Sequence, residues 1–105
     1  MAVKLTKKEL KALTDELSRI GVKWTTIYLF GSTAKGHADK DSDRDFCVIV
    51  PDATTNVDRL WVKLNASLGT KGYNFDVLLA KEGDFAKSTI SPIFHEIKST
   101  GIKVA

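Results

Sequence analysis

The sequence has a single cysteine, no long apolar run and little net charge, and each scarcity excludes a class of protein. One cysteine, Cys47, cannot form an intramolecular disulfide framework, and this fits a reducing cytoplasm. No stretch approaches the ~18 apolar residues of a membrane-spanning helix, and the N-terminus lacks the apolar segment of a signal peptide. The 16 basic and 13 acidic side chains leave a net charge of +3, too small to indicate nucleic-acid binding. We therefore expect a cytoplasmic protein that binds neither membranes nor nucleic acid directly.

The order of helix and strand signals predicts a small mixed sheet flanked by helices. A length of 105 residues suits one domain, assigned here to residues 1–105. The first helix begins with a capping box of Thr6 and Glu9 and ends at Gly21. The predicted strands are VKWTTIYLF, RDFCVIV, YNFDVLLA and a short edge strand in IKVA, and KEGD is predicted to be a turn. The other helices are one capped by Asn56 and closed by Gly69 and Gly72, and PIFHEIKST, which is capped by Ser91 and ended by Gly101. This pattern is typical of an α/β (α+β) protein.

Two of these helices carry apolar residues at helical spacing, which predicts the faces that they turn to the core. The predicted core residues are Leu10, Leu13, Leu17 and Ile20 in the first helix, and Val57, Leu60, Trp61, Leu64 and Leu68 in the second.

Five side chains that often carry function have an ordinary interpretation and a functional alternative. Cys47 is interpreted as a buried, inert thiol rather than a catalytic one. Trp24 and Trp61 are interpreted as core residues, with base stacking as the alternative. His37 is interpreted as a solvated loop residue, with a role as acid or ligand left open. His95 is interpreted as a surface or half-buried residue, with partner contact left open.

Two acids lie at the start of the predicted strand RDFCVIV: Asp43 directly before it and Asp45 as its second residue. Side chains two apart on a strand point to the same face, so Asp43 and Asp45 project together while Arg44 points away. Two adjacent carboxylates repel each other unless a cation bridges them. Paired hard oxygens suit Mg²⁺ or Mn²⁺, which share ligands with substrate phosphates. The pair therefore predicts a metal site.

A predicted phosphate-binding segment precedes the acids in the sequence. Gly31 and Ser32 lie where a strand turns into a short helical turn, STAK, and free N–H groups in such a place suit a polyphosphate. Lys35 lies one turn further on and could add a positive charge. The combination of Gly-Ser, ten residues and Asp-x-Asp arises by chance in on the order of one chain per thousand of this size. A polar loop, GHADKDSD, is predicted between the two features.

A third acid, Asp76, lies in the apolar segment FDVLL. Aspartate is depleted in strand interiors and is rarely buried without a partner. Asp76 therefore either lies on the exposed face of an edge strand, or lies beside Asp43 and Asp45 and completes a three-carboxylate metal site.

These residues resemble the nucleotidyltransferase superfamily related to DNA polymerase β, whose signature is GS-x10-D-x-D with a third acid in a later strand. The short chain looks most like the minimal nucleotidyltransferase (MNT) group of bacteria and archaea. The resemblance implies the polymerase β-like fold. It also implies that Asp43, Asp45 and Asp76 are catalytic and bind two Mg²⁺ ions (or Mn²⁺), and that Gly31 and Ser32 hold the triphosphate.

Two residues depart from the family's pattern. Lys35, assigned to nucleotide binding, stands where arginine is common, which keeps the charge but loses a bidentate fork. Arg44 stands where an apolar residue is common, so we expect that face of the strand to be less buried.

The resemblance also implies an activity and a partner. MNT antitoxins transfer AMP from ATP to a tyrosine of a helical HEPN-type toxin and thereby silence it, and this is our leading hypothesis. Two alternatives stay open: a nucleotide-binding module that neutralises a partner by contact alone, and a stand-alone transferase that acts on a small-molecule hydroxyl. Because little chain remains to bind an acceptor, we expect a homo-oligomer or a complex with a HEPN protein.

Overall fold

The computed structural model describes residues 6–31, 44–87 and 91–105. In chain order its elements are α1 (Lys7–Ile20), β1 (Thr26–Phe30), β2 (Arg44–Val50), α2 (Val57–Thr70), β3 (Phe75–Lys81), α3 (Glu82–Lys87), α4 (Pro92–Thr100) and β4 (Ile102–Lys103). This order agrees with the predicted one, except that most of the predicted KEGD turn belongs to α3. The predicted turn STAK and loop GHADKDSD lie outside the described residues. None of the described helices is long and apolar enough to cross a membrane.

The four strands form one mixed sheet in the order β3-β2-β1-β4. β1 is antiparallel to β2 and to β4, whereas β2 and β3 are parallel. α2 forms the crossover that a parallel pair requires. The register places Phe30 opposite Asp45, and Asp45 opposite Asp76. The end of β1 and the beginnings of β2 and β3 therefore meet at one end of the sheet, which we call the acidic end.

Apolar side chains cover both faces of the sheet. On β2, alternate residues join two separate clusters: Phe46 and Val48 pack with residues of α1 and α2, whereas Cys47 and Ile49 pack with residues of α3 and α4. By this alternation Asp45 lies on the face that α3 and α4 cover.

Local sequence signals predicted the ends of α1 and α4 correctly, because a cap depends on side chains a few residues apart. Glu9 N donates to Thr6 Oγ1 at 3.1 Å and Thr6 N donates to Glu9 Oε1 at 3.2 Å, which confirms the capping box. Gly21 follows α1 with φ +88°. Ser91 Oγ accepts a hydrogen bond from Phe94 N at 3.4 Å and caps α4.

α2 differs from its prediction in three ways. Asn56 occupies the N-cap position, but its backbone is left-handed and its side chain makes no cap hydrogen bond. Gly69 lies inside the last turn, and the left-handed glycine that follows the helix is Gly72, with φ +86°. Trp61 was predicted to be a core residue and is 41% exposed. α2 packs on β3, which is the outermost strand of the described sheet. The side of α2 that extends past β3 therefore has no further strand of that sheet to pack on.

The outer edge of β3 is partly covered by a side chain of α2. Asn65 Nδ2 donates to Val77 O and Asn65 Oδ1 accepts from Val77 N, both at 2.9 Å. The side-chain amide thus takes the place of a neighbouring strand at Val77, and it satisfies backbone groups that an edge strand otherwise leaves open.

A buried carboxylate joins α1 to α2. Glu16 is 2% exposed and accepts hydrogen bonds from Arg19, from Ser67 Oγ at 2.5 Å and from Lys71 Nζ at 2.5 Å. The hydrogen bond from the Arg19 guanidinium has the largest effect on the pKa of Glu16. Together with the hydrogen bonds from Lys71 and Ser67 it outweighs burial, which raises the pKa, and the result is a pKa of about 2. The folded state therefore prefers the charged carboxylate.

This pKa predicts how acid affects stability. The contribution of Glu16 is complete above its ordinary pKa of 4.5 and is lost as the pH falls towards about 2. Because Arg19 and Lys71 are half-exposed, we expect a loss of about 1–2 kcal/mol. Urea unfolding of the protein and of a Glu16→Gln variant at pH 6 and pH 3 tests this. The free energies of unfolding should converge at the lower pH, and parallel pH profiles would contradict the assignment.

Candidate active site

Two carboxylates lie side by side at the acidic end of the sheet. Asp45 at the start of β2 and Asp76 at the start of β3 are direct register partners, so their side chains leave the same face of the sheet. Neighbouring strands lie about 4.8 Å apart, which places the two Cβ atoms about 5 Å from each other. Asp45 is half-buried and Asp76 is exposed. The interpretation of Asp76 as an exposed residue of an edge strand is therefore confirmed, and its place beside Asp45 is compatible with the alternative of a three-carboxylate metal site, which stays a prediction.

Gly31 lies directly against the Asp45 carboxylate. Its backbone has φ +74°, and a Cβ atom built on it would lie 2.3 Å from Asp45 Oδ2 and 3.2 Å from Asp45 Cγ. Only a residue without a side chain allows this approach, since real Cβ atoms do not come within 3.0 Å of another heavy atom. The predicted phosphate-binding glycine and the predicted metal-binding acid are therefore in contact.

The remaining predicted site residues, Ser32, Lys35 and Asp43, lie outside the described residues, as does His37. Within the described ranges, no group of three or more His, Cys, Asp or Glu side chains is placed to hold a metal ion. The three-carboxylate set depends on Asp43 and stays a prediction. The described part of the set, Asp45 and Asp76, offers hard oxygen donors whose mutual repulsion a divalent cation would relieve, so its chemistry fits Mg²⁺ or Mn²⁺.

A family model described as a nucleotidyltransferase domain matches residues 8–99, which include the acid pair and Gly31. The chain belongs to the nucleotidyltransferase domain family. The mixed sheet with helices on both faces agrees with the predicted polymerase β-like nucleotidyltransferase fold. No curated protein sequence matches the chain.

Solved structures similar to this nucleotidyltransferase include members of the minimal group. A toxin–antitoxin structure with AMP-PNP is 25% identical, with a TM-score of 0.54, and the match covers 89% of this chain and 69% of that one. A protein assigned as a minimal nucleotidyltransferase is 25% identical, with a TM-score of 0.51 and coverages of 93% and 91%. A structure of a tri-AMPylated HEPN toxin from Shewanella oneidensis with its MNT antitoxin is 23% identical, with a TM-score of 0.50 and coverages of 89% and 66%.

The single thiol of this nucleotidyltransferase, Cys47, lies close to Asp45 on β2. Cys47 follows Asp45 on the same face of β2 and is fully buried, and burial raises the pKa of its thiol to about 12. A thiol with such a pKa stays protonated at neutral pH and is a poor nucleophile. The prediction that Cys47 is buried is confirmed, and the raised pKa of its thiol supports the interpretation that it is inert.

The expectation about Arg44 is wrong. The face of β2 that carries Arg44 is not less buried, because the residue is only 6% exposed. Arg44 Nε donates to Glu9 Oε2 at 3.1 Å, so the cation is buried together with a carboxylate of α1. Sequence reasoning assigned Glu9 to the capping box alone. An arginine in an otherwise apolar row of a strand was the available signal, because such a cation requires a nearby acid.

Proposed function

We propose that this chain is a Mg²⁺-dependent nucleotidyltransferase that transfers AMP from ATP to a tyrosine hydroxyl of a HEPN-type partner toxin. The observation that carries the proposal is the juxtaposition of Asp45, Asp76 and Gly31 at one end of the sheet. A similar solved toxin–antitoxin structure holds AMP-PNP, an ATP analogue, which supports ATP as the nucleotide. The similar Shewanella oneidensis complex contains an AMPylated HEPN toxin, which supports the choice of acceptor.

The chemistry is an in-line displacement at the α-phosphorus. The acceptor oxygen forms a bond to the α-phosphorus, the bond to the β-phosphate oxygen breaks, and pyrophosphate leaves. Asp43, Asp45 and Asp76 would hold two Mg²⁺ ions, which when bound offset the charge that develops on the attacking and leaving oxygens. The Gly31-Ser32 backbone would hold the triphosphate, and Lys35 would add a positive charge beside it.

The position of Asp76 suits a role toward the acceptor. It lies on the edge strand and is exposed, whereas Asp45 is half-buried beside Gly31. We assign to the Asp76 carboxylate the role of accepting the proton of the acceptor hydroxyl. The exposure of Asp76 among the described residues would allow the hydroxyl of a large partner to reach it.

The partner and the location complete the proposal. Similar solved structures include complexes of an MNT antitoxin with its toxin, which supports a partner protein for this chain as well. We therefore propose that it works as a homo-oligomer or as a complex with the helical HEPN protein, in the cytoplasm.

A label-transfer experiment tests the proposed function. The protein is incubated with Mg²⁺, a HEPN-type protein encoded beside it, and ATP labelled at either the α- or the γ-phosphate. The α-label should appear on the partner with an equal amount of pyrophosphate, the γ-label should not, and replacement of the modified tyrosine by phenylalanine should abolish the transfer.

The outcomes separate the three hypotheses. Neutralisation of the partner without α-label transfer or pyrophosphate release would contradict an enzyme and favour a binding module. Transfer to a small-molecule hydroxyl but not to the partner would contradict the proposed protein acceptor and leave the transferase activity in place.

A further inference from the structure

Arg44 is an exception in the buried row of β2 that faces α1 and α2. The other members of that row, Phe46, Val48 and Val50, are apolar and fully buried, and Arg44 is itself only 6% exposed. Burial of a cation is strongly unfavourable unless a partner compensates for the lost water. A charge at this point, between the two acids of the Asp-x-Asp pair, therefore requires an explanation.

Glu9 compensates the charge and is itself held in place. Its Oε2 accepts from Arg44 Nε at 3.1 Å, while its Oε1 accepts from Thr6 N at 3.2 Å and from Thr6 Oγ1 at 3.1 Å. The Glu9 side chain is only 22% exposed, and it lies in the first turn of α1, where the helix dipole favours a negative charge. The pair thus joins the beginning of β2 to the beginning of α1 through groups with little freedom to move.

The backbone of Arg44 is held from a second direction. Its N–H donates to Asn74 O at 2.8 Å, immediately before β3 begins. Arg44 is also the register partner of Phe75, the residue that precedes Asp76. The residue between the two acids is therefore fixed to α1 by its side chain and to the strand that carries Asp76 by its backbone.

We propose that Arg44, held by Glu9, is a positioning residue for the metal–nucleotide site. Its side chain and backbone contacts fix the start of β2 and so hold the Asp45 carboxylate beside Asp76 and against Gly31. Metal coordination is sensitive to such support, because residues behind the ligands commonly change metal affinity by about 10–100-fold. The proposal rests on the proposed function for its ligand, a divalent metal with a nucleotide.

Three variants test this role through Mn²⁺ binding, measured by electron paramagnetic resonance with AMP-PNP present. Glu9→Gln retains the capping-box hydrogen bonds but removes the charge that Arg44 requires. Arg44→Met removes the cation and leaves a residue suited to a buried row. Glu16→Gln is the matched control, because it removes a buried carboxylate of the same helix that contacts Ser67 and Lys71 and no residue of β2 in the hydrogen bonds described above. Urea unfolding of all three variants reports their stability.

We expect the Mn²⁺ dissociation constant to rise at least fivefold in Glu9→Gln and in Arg44→Met, and to stay within twofold of wild type in Glu16→Gln. Equal changes in all three variants would indicate a general effect of stability and would overturn the proposal. Unchanged Mn²⁺ binding in Arg44→Met would overturn it as well, even if Glu9→Gln failed to fold. A wild-type protein that binds Mn²⁺ but transfers no label would contradict the proposed function alone, because the comparison of variants needs no turnover.

Discussion

Replacement of Asp45 by asparagine is expected to reduce nucleotide transfer by about three orders of magnitude while the protein stays folded. Asparagine has nearly the same shape, so the contacts of the side chain with Gly31 are retained. The variant loses the charge that would hold a metal ion, and such stabilisation of a transition state amounts to several kcal/mol, at about 1.4 kcal/mol per tenfold change in rate.

The same substitution should have little effect on the stability of the metal-free protein. Asp45 and Asp76 are direct neighbours on adjacent strands, and like charges in that position are unfavourable by roughly 0.2–1 kcal/mol. Removal of one charge relieves this repulsion, and asparagine keeps the shape and one hydrogen-bonding oxygen of the side chain, so the free energy of unfolding should stay within about 1 kcal/mol of wild type. A carboxylate whose loss abolishes activity without loss of stability is there for its chemistry.

The Asp45→Asn variant is compared with Asp15→Asn, which removes an exposed carboxylate from the solvent face of α1. Both are assayed for pyrophosphate release and for the rise in melting temperature on addition of Mg²⁺ and AMP-PNP. Asp15→Asn should behave as wild type in both assays, whereas Asp45→Asn should show neither response. Transfer by Asp45→Asn within tenfold of wild type would contradict the assignment of the active site.

Replacement of Gly31 by alanine is expected to reduce transfer at least 100-fold with a small loss of stability. The new Cβ would lie 2.3 Å from Asp45 Oδ2, so the carboxylate must move away from its position beside Asp76. A side-chain carboxylate moves easily, and the fold loses mainly the roughly 1–2 kcal/mol of a left-handed backbone at a residue with a Cβ. The effect on activity should therefore be far larger than the effect on stability.

Gly72→Ala separates these two effects. Gly72 has φ +86°, similar to the +74° of Gly31, but a Cβ atom there would meet nothing within 4 Å. The control introduces the same kind of backbone strain without contact with a carboxylate. Urea unfolding should give similar losses for the two variants, and the transfer assay should show a loss for Gly31→Ala alone. Equal activities would contradict the proposed contact between Gly31 and Asp45.

Predictions from short segments of sequence were the most reliable. The capping box of Thr6 and Glu9, the end of α1 at Gly21 and the cap at Ser91 depend on groups within a few residues, and all three are confirmed. The three longer predicted strands are present, because enrichment in β-branched and aromatic residues is itself a local signal. RDFCVIV matches β2 over its full length, whereas β1 and β3 begin later than predicted and β3 ends one residue later.

Predictions that needed knowledge of neighbouring elements were less reliable. Helical spacing placed Trp61 on the core face, but spacing does not show that α2 lies against the outermost strand of the described sheet, where the side chain is 41% exposed. The pairs of Arg44 with Glu9 and of Asn65 with Val77 join residues that are distant in the chain, so no local pattern indicates which residue is the partner.

Residue types and their spacing indicate the chemistry available to this protein: a glycine after one strand, acids at the start of the next two, and a spacing that resembles the nucleotidyltransferase signature. The tertiary structure was needed to show that Asp45 and Asp76 are register partners, that Gly31 touches the Asp45 carboxylate, and that a buried ion pair supports the start of β2. The physical reason is that residue type sets which interactions a side chain can make, whereas strand order and register set which side chains meet.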